Sequence, residues 1–273
     1  MEDPNEAPDR VREDTPSGEE RHVNPYRVAN IDGAPLTYVV SLAAVVAVLA
    51  MIPIPISIVI ATGTNFPMSQ SIYGIVGWLL GPIAGAVANA IGAVIGVIIA
   101  PYTTFAGSAT VFGAAMGGLA AGATVRTGPR RTWWMPLGIV FIGLYGAYAG
   151  RAIVVNQAPW LNVLLGSFIN WSALLLFLLP TRSEIARLLH ATDLRLLGIG
   201  LFAGTWMAAG LAHLSTAAIV YAILNWPAEL WLVFAPLAPI EHTLRCAAGT
   251  AIGLGVISGL RATGIVKPEH AVY

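Results

Sequence analysis

Residues 71–96 read SIYGIVGWLLGPIAGAVANAIGAVIG, two apolar runs that meet at Gly81–Pro82 without one charged side chain. About 20 mostly apolar residues span the hydrocarbon core of a bilayer, and the same texture recurs from Leu36 to Arg261. Of the whole chain, 56% is hydrophobic and 10% charged, and the mean hydropathy is +0.73. A soluble domain carries about 25% charged residues, so this chain is built for lipid rather than water. Its runs lack the two-residue alternation of membrane barrels. Lipid otherwise admits only helices, which satisfy their own backbone polar groups. The expected fold is an all-α, polytopic transmembrane helical bundle.

Working outward from that stretch gives eight apolar segments, hence about eight crossings. They are Leu36 to about Thr62, with Pro53 and Pro55 late in it, then a short Ser71–Leu80, Ile83–Ala100 and Gly107–Val125. Met135–Val155, Leu161–Pro180 and Leu196–Leu224 follow, and the last ends at Leu260. Residues 35–261 form the transmembrane domain, and 262–273 a short C-terminal tail. Residues 1–34 are rich in acids, arginine and proline and nearly devoid of apolar side chains, the composition of a disordered tail. Cationic residues cluster in cytoplasmic loops. Arg126, Arg130, Arg131, Arg182, Arg187, Arg195, Arg261 and Lys267 all fall on the side of the N-terminal arginines, while the opposite loops hold no Lys or Arg. Both termini are therefore expected in the cytoplasm.

Small residues recur every four positions, as in Gly81, Gly85 and Asn89, or Ala84, Ala88, Gly92 and Gly96, and again in Gly113, Gly117 and Ala121. Such stripes let helices approach closely in lipid. Ala43 and Ala47 lie one turn apart on the first segment. They serve either packing within the bundle or the docking of another subunit.

AVLAMIPIPIS at residues 47–57, followed by residues 71–96, resembles the substrate-binding S components of energy-coupling factor transporters. In that family a first helix ends in a proline-rich outer loop, and a short second helix meets a glycine-rich third at a Gly-Pro turn. Pro53, Pro55, Gly81, Pro82, Gly85 and Gly92 match these features over residues 36–125. The resemblance implies a prokaryotic cell-membrane importer subunit that binds a vitamin-like small molecule from outside. It further implies docking through Ala43 and Ala47 to a transmembrane coupling subunit driven by two ATPases. S components typically have six helices, so a six-helix core with two extra helices is expected here.

Charged groups at the bilayer centre cost about 2.5–3.5 kcal/mol on insertion scales and so face the interior or water. Arg151, His213, Glu241, His242 and Arg245, with Asn89 and Asn170, form the candidate substrate-binding set, and Trp226 lies at its outer rim. Pro239 suits the first turn of a helix. The last spanning helix is therefore expected to begin there, with 229–237 as a separate outer helix or lid. Glu241 and Arg245, four apart, can pair along one face, or Arg245 or Arg151 can meet a ligand carboxylate or phosphate and Glu241 an amine. His213, Asn89 and Asn170 can equally be satisfied interior residues.

No P-loop or H-E-x-x-H sequence is present, and Cys246, the sole cysteine, allows no disulfide within the chain. Neither enzymatic activity, a metal, a cofactor nor nucleic-acid binding is expected. The alternatives to an importer subunit are a self-sufficient secondary transporter and a non-transporting membrane scaffold.

Overall fold

A computed structural model describes residues 29–54, 65–125, 132–263, 267–268 and 271–273. Ten α-helices make up the described bundle: α1 (Leu36–Ala50), α2 (Tyr73–Leu80), α3 (Pro82–Ile99), α4 (Gly107–Val125) and α5 (Trp134–Gly150), then α6 (Trp160–Gly166), α7 (Phe168–Leu178), α8 (Thr181–Leu189), α9 (Leu194–Leu224) and α10 (Leu230–Thr263). A π-helical turn, Arg151–Val155, extends α5. Two short hairpins complete it, β1 (Asn30–Ile31) with β2 (Ala34–Pro35), and β3 (Pro53–Ile54) with β4 (Phe66–Pro67).

The surface is inverted relative to a soluble protein. Ile98, Ile139 and Val154 are 70–73% exposed, whereas Glu241, His242 and Arg245 are at most 3% exposed. Among the described residues, five helices are long and apolar enough to cross a membrane: α3, α4, α5 with its π turn, α9 and α10. The pair α6–α7 makes a sixth if taken as one span bent by 70°. α1 and α2 are shorter, at 15 and 8 residues. The all-α polytopic bundle is thus observed, with unequal passages.

Gly81 sits at φ 87°, a left-handed backbone that favours glycine, and Pro82 opens α3 at its first turn. This is the reversal expected from the Gly-Pro pair. Close approach does the rest of the packing. A Cβ on Gly92 would lie 2.5 Å from the Val46 Cβ and 2.6 Å from the Ala43 carbonyl oxygen, so α3 touches the backbone of α1 there. Ala43 and Ala47 are consequently buried. The face expected to dock a partner is covered by the chain's own α3, which leaves Thr37, Ser41, Ala44 and Val48 outward.

Side-chain bonds identify the two ends of the bundle. At one end Arg261 donates to the carbonyls of Ala191 (2.7 Å), Leu189 (3.2 Å) and Val272 (3.4 Å), while the Val272 N–H donates to the Trp78 carbonyl at 3.2 Å. Tyr38 and Tyr273 line one groove there, so both described chain ends share this side. At the other end the Tyr102 hydroxyl donates to the Met51 carbonyl at 2.7 Å, and Asn156 donates to the Tyr221 hydroxyl and the Trp226 carbonyl.

Four expectations need correcting. The first helix stops at Ala50 rather than near Thr62, because the following Pro53 lacks an N–H and enters the β3–β4 hairpin; residues 55–64 lie outside the described residues. Asn30–Ala34, assigned to a disordered tail, form a hairpin together with Pro35. Its Asp32–Gly33 turn has positive φ at both central residues, 51° and 84°, as a two-residue hairpin of primed type requires. Residues 1–28, and Arg126, Arg130 and Arg131, lie outside the described residues. The segment 161–180 is two helices, not one. Finally, α10 runs unbroken from Leu230 through Pro236 and Pro239, so no separate outer lid precedes it. Membrane helices tolerate internal proline because neighbours and hydroxyls re-satisfy the freed backbone groups.

Candidate functional site

The break between α6 and α7 places the site. A sharp bend leaves a helix carbonyl, that of Leu164, without a backbone partner, while the Val163 carbonyl keeps the Ser167 N–H at 2.9 Å, and side chains add to both. Ser167 Oγ donates to the Val163 carbonyl at 2.6 Å, and Trp171 Nε1 to the Leu164 carbonyl at 2.9 Å. The Tyr145 hydroxyl shares a 3.0 Å hydrogen bond with Ser167 Oγ. Gly166 fits against the backbone of Trp231 on α10. The bend delivers Asn170, on α7, to His213, on α9, with Asn170 Oδ1 2.8 Å from His213 Nδ1.

On α10 the spacing of Glu241, His242 and Arg245 turns all three inward. Arg245 donates to Glu241 Oε1 at 2.5 Å and to His242 Nδ1 at 3.1 Å. His242 Nε2 lies 3.0 Å from the Trp206 carbonyl, which can only accept, so Nε2 carries the proton and Nδ1 the lone pair. The network Trp206–His242–Arg245–Glu241 is thereby self-consistent, with one cation matched by one anion. Trp206 stacks perpendicular to His242 at 4.6 Å. The Arg245 guanidinium lies 4.7 Å from the centre of the Phe66 ring, a cation–π contact that ties β4 to the network.

Two cavities with about 460 and 430 Å³ of empty space, mouths included, share a wall of Phe66, His213 and Trp226. The first lies toward the end opposite the chain termini and is also lined by Gln70, Thr103, Thr110 and Thr216. The second reaches Tyr148, Phe234, Glu241 and Arg245. Their walls hold three buried polar atoms without a hydrogen-bond partner among the described residues: Gln70 Oε1, Trp226 Nε1 and Arg245 Nε. An unsatisfied buried polar group costs about 1–3 kcal/mol.

Of the eight candidates, Glu241, Arg245, His213 and Trp226 line a cavity. Asn170 and His242 stand behind the wall and brace it. Asn89 and Arg151 line neither cavity. Asn89 donates to the Tyr73 carbonyl at 3.1 Å within the packing of α2, α3 and α4, and Arg151 sits in the π turn of α5. Gln70 was missed. Its signal was faint: a lone amide within Met68–Ser71, a turn of 3₁₀ helix that reads as loop. Among the described residues no group of three or more His, Cys, Asp or Glu side chains forms a metal-sized cluster. Compared with protein-family models, curated proteins and solved structures, the chain matches none.

Proposed function

We propose that this chain is the membrane-embedded substrate-binding subunit of an importer of the energy-coupling factor type, taking up a small vitamin-like solute from outside. The observation that supports the reading best is the pair of aromatic-walled cavities at the end opposite the chain termini, backed by the Glu241–Arg245 ion pair and carrying three unpartnered polar atoms. The cation-free outer loops orient that end away from the cytoplasm, with both termini inside. In this reading the chain, which has no P-loop, draws its energy from two ATPases acting through a transmembrane coupling subunit. Since α3 covers Ala43 and Ala47, the part of α1 left for that subunit is the outward row Thr37, Ser41, Ala44 and Val48.

Native mass spectrometry of the purified chain should reveal a co-purified small molecule, and uptake into vesicles should require ATP and the coupling subunits. Robust uptake by the chain alone without ATP would sink this reading. The bent α6–α7 pair favours a second one, since secondary transporters build their sites from discontinuous helices. A secondary carrier would lose uptake when the ion gradient is collapsed.

A further inference from the structure

His213 differs from His242 in what its free nitrogen faces. Both nitrogens of His242 are occupied within the protein. Only Nδ1 of His213 is: it meets Asn170 Oδ1 at 2.8 Å, and an amide oxygen can only accept, so Nδ1 carries the hydrogen. A buried, unpaired cation is costly, so the ring is neutral and Nε2 holds a lone pair. Nε2 has no hydrogen-bond partner among the described residues, and the ring forms part of the wall of both cavities. Phe66, edge-on at 5.5 Å, holds the ring from one side. A second acceptor, Gln70 Oε1, is buried and unpartnered on the outer cavity.

We propose that His213 Nε2 is a specificity-determining acceptor, so that the bound solute must present an N–H or O–H donor to it, and that Asn170 is the positioning residue that fixes this tautomer. The proposal rests on the reading that the outer cavities bind the solute. It reaches further, because it assigns the shared wall a hydrogen-bonding polarity: an acceptor from His213 Nε2 beside the unpartnered Trp226 Nε1 donor. With the Glu241–Arg245 charges matched to each other, a solute needs no net charge to enter.

The test has two arms. In the chain labelled with ¹⁵N-histidine and held in lipid nanodiscs, His213 should appear protonated at Nδ1 and bare at Nε2, with His242 in the opposite tautomer. Asn170→Leu should convert His213 to a mixture and leave His242 unchanged, and Asn170→Asp, which keeps an acceptor, should restore the Nδ1–H form. A wild-type His213 protonated at Nε2 overturns the proposal and leaves the cavity reading intact. In the second arm, indole and 1-methylindole serve as probes that differ in one donor. A neutral hydrogen bond corresponds to about 3–10-fold in affinity, so wild type should favour indole by that ratio, and Asn170→Leu and His213→Phe should bring it to about one. Equal binding of both probes to wild type overturns the proposal alone. If neither probe binds, the cavity reading falls and takes the proposal with it.

Discussion

Replacing Glu241 by alanine strands the guanidinium of Arg245 inside the bundle. Arg245 is 1% exposed, and its carboxylate partner lies 2.5 Å away. His242 Nδ1 still accepts one hydrogen bond from it, but a neutral acceptor does not offset a buried charge. Removing one partner of a buried ion pair costs about 3–5 kcal/mol. For a chain of this size each 1 kcal/mol moves Tm by about 2–4 °C, so Glu241→Ala should lower it by roughly 6–20 °C. The protein supplies its own reporter. Cys246 is the sole cysteine, adjacent in sequence to Arg245 and fully buried, so a thiol-reactive fluorophore lights up only on unfolding. Glu241→Leu combined with Arg245→Leu removes both charges together and should return most of the loss, since replacing a buried pair by apolar groups is often neutral or stabilising. A shift below about 2 °C for Glu241→Ala, or a double variant no better than the single, would refute the argument that the pair is matched and desolvated.

Gly92→Leu should force α3 away from α1, because even its Cβ would lie within 2.6 Å of Val46 and Ala43 atoms; overpacking costs about 1–3 kcal/mol, read by the same thiol assay. Trp226→Phe removes an unpartnered Nε1, so it should leave Tm nearly unchanged and weaken binding of the co-purified solute about 3–10-fold, measured by titration calorimetry. Arg261→Ala frees the carbonyls of Leu189, Ala191 and Val272; hydrogen exchange should rise around residues 189–191 and leave the Asn225 end of α9 unaffected.

Hydropathy made the bundle legible, and Gly81–Pro82 announced its reversal, because glycine and proline at those places leave the backbone little choice. The inward charged cluster was legible for the same reason: lipid leaves ionisable side chains nowhere else to face. Partners were less so. Asn89 and Asn170 read alike in sequence, yet one bonds a backbone carbonyl in a packing seam and the other a histidine on the cavity wall. The bend at Ser167 had no proline to mark it; backbone bonds around Ser167 and the Trp171 indole on the Leu164 carbonyl carry the chain through it. Pro239 erred the other way. Rules drawn from soluble helices read it as the start of a helix, whereas α10 carries it, with Pro236, in its interior.

The unequal lengths of the helices set a mechanical condition on the whole molecule. At about 1.5 Å per residue, α10 is about 51 Å long and α1 about 22 Å, against a hydrocarbon layer of about 30 Å. No single thickness suits both. The bilayer accommodates such misfit by tilting the protein or by local thinning and thickening, at fractions of a kcal/mol per ångström. Acyl-chain length then acts as a load on the resting angle of the bundle, which would feel its membrane as a spring.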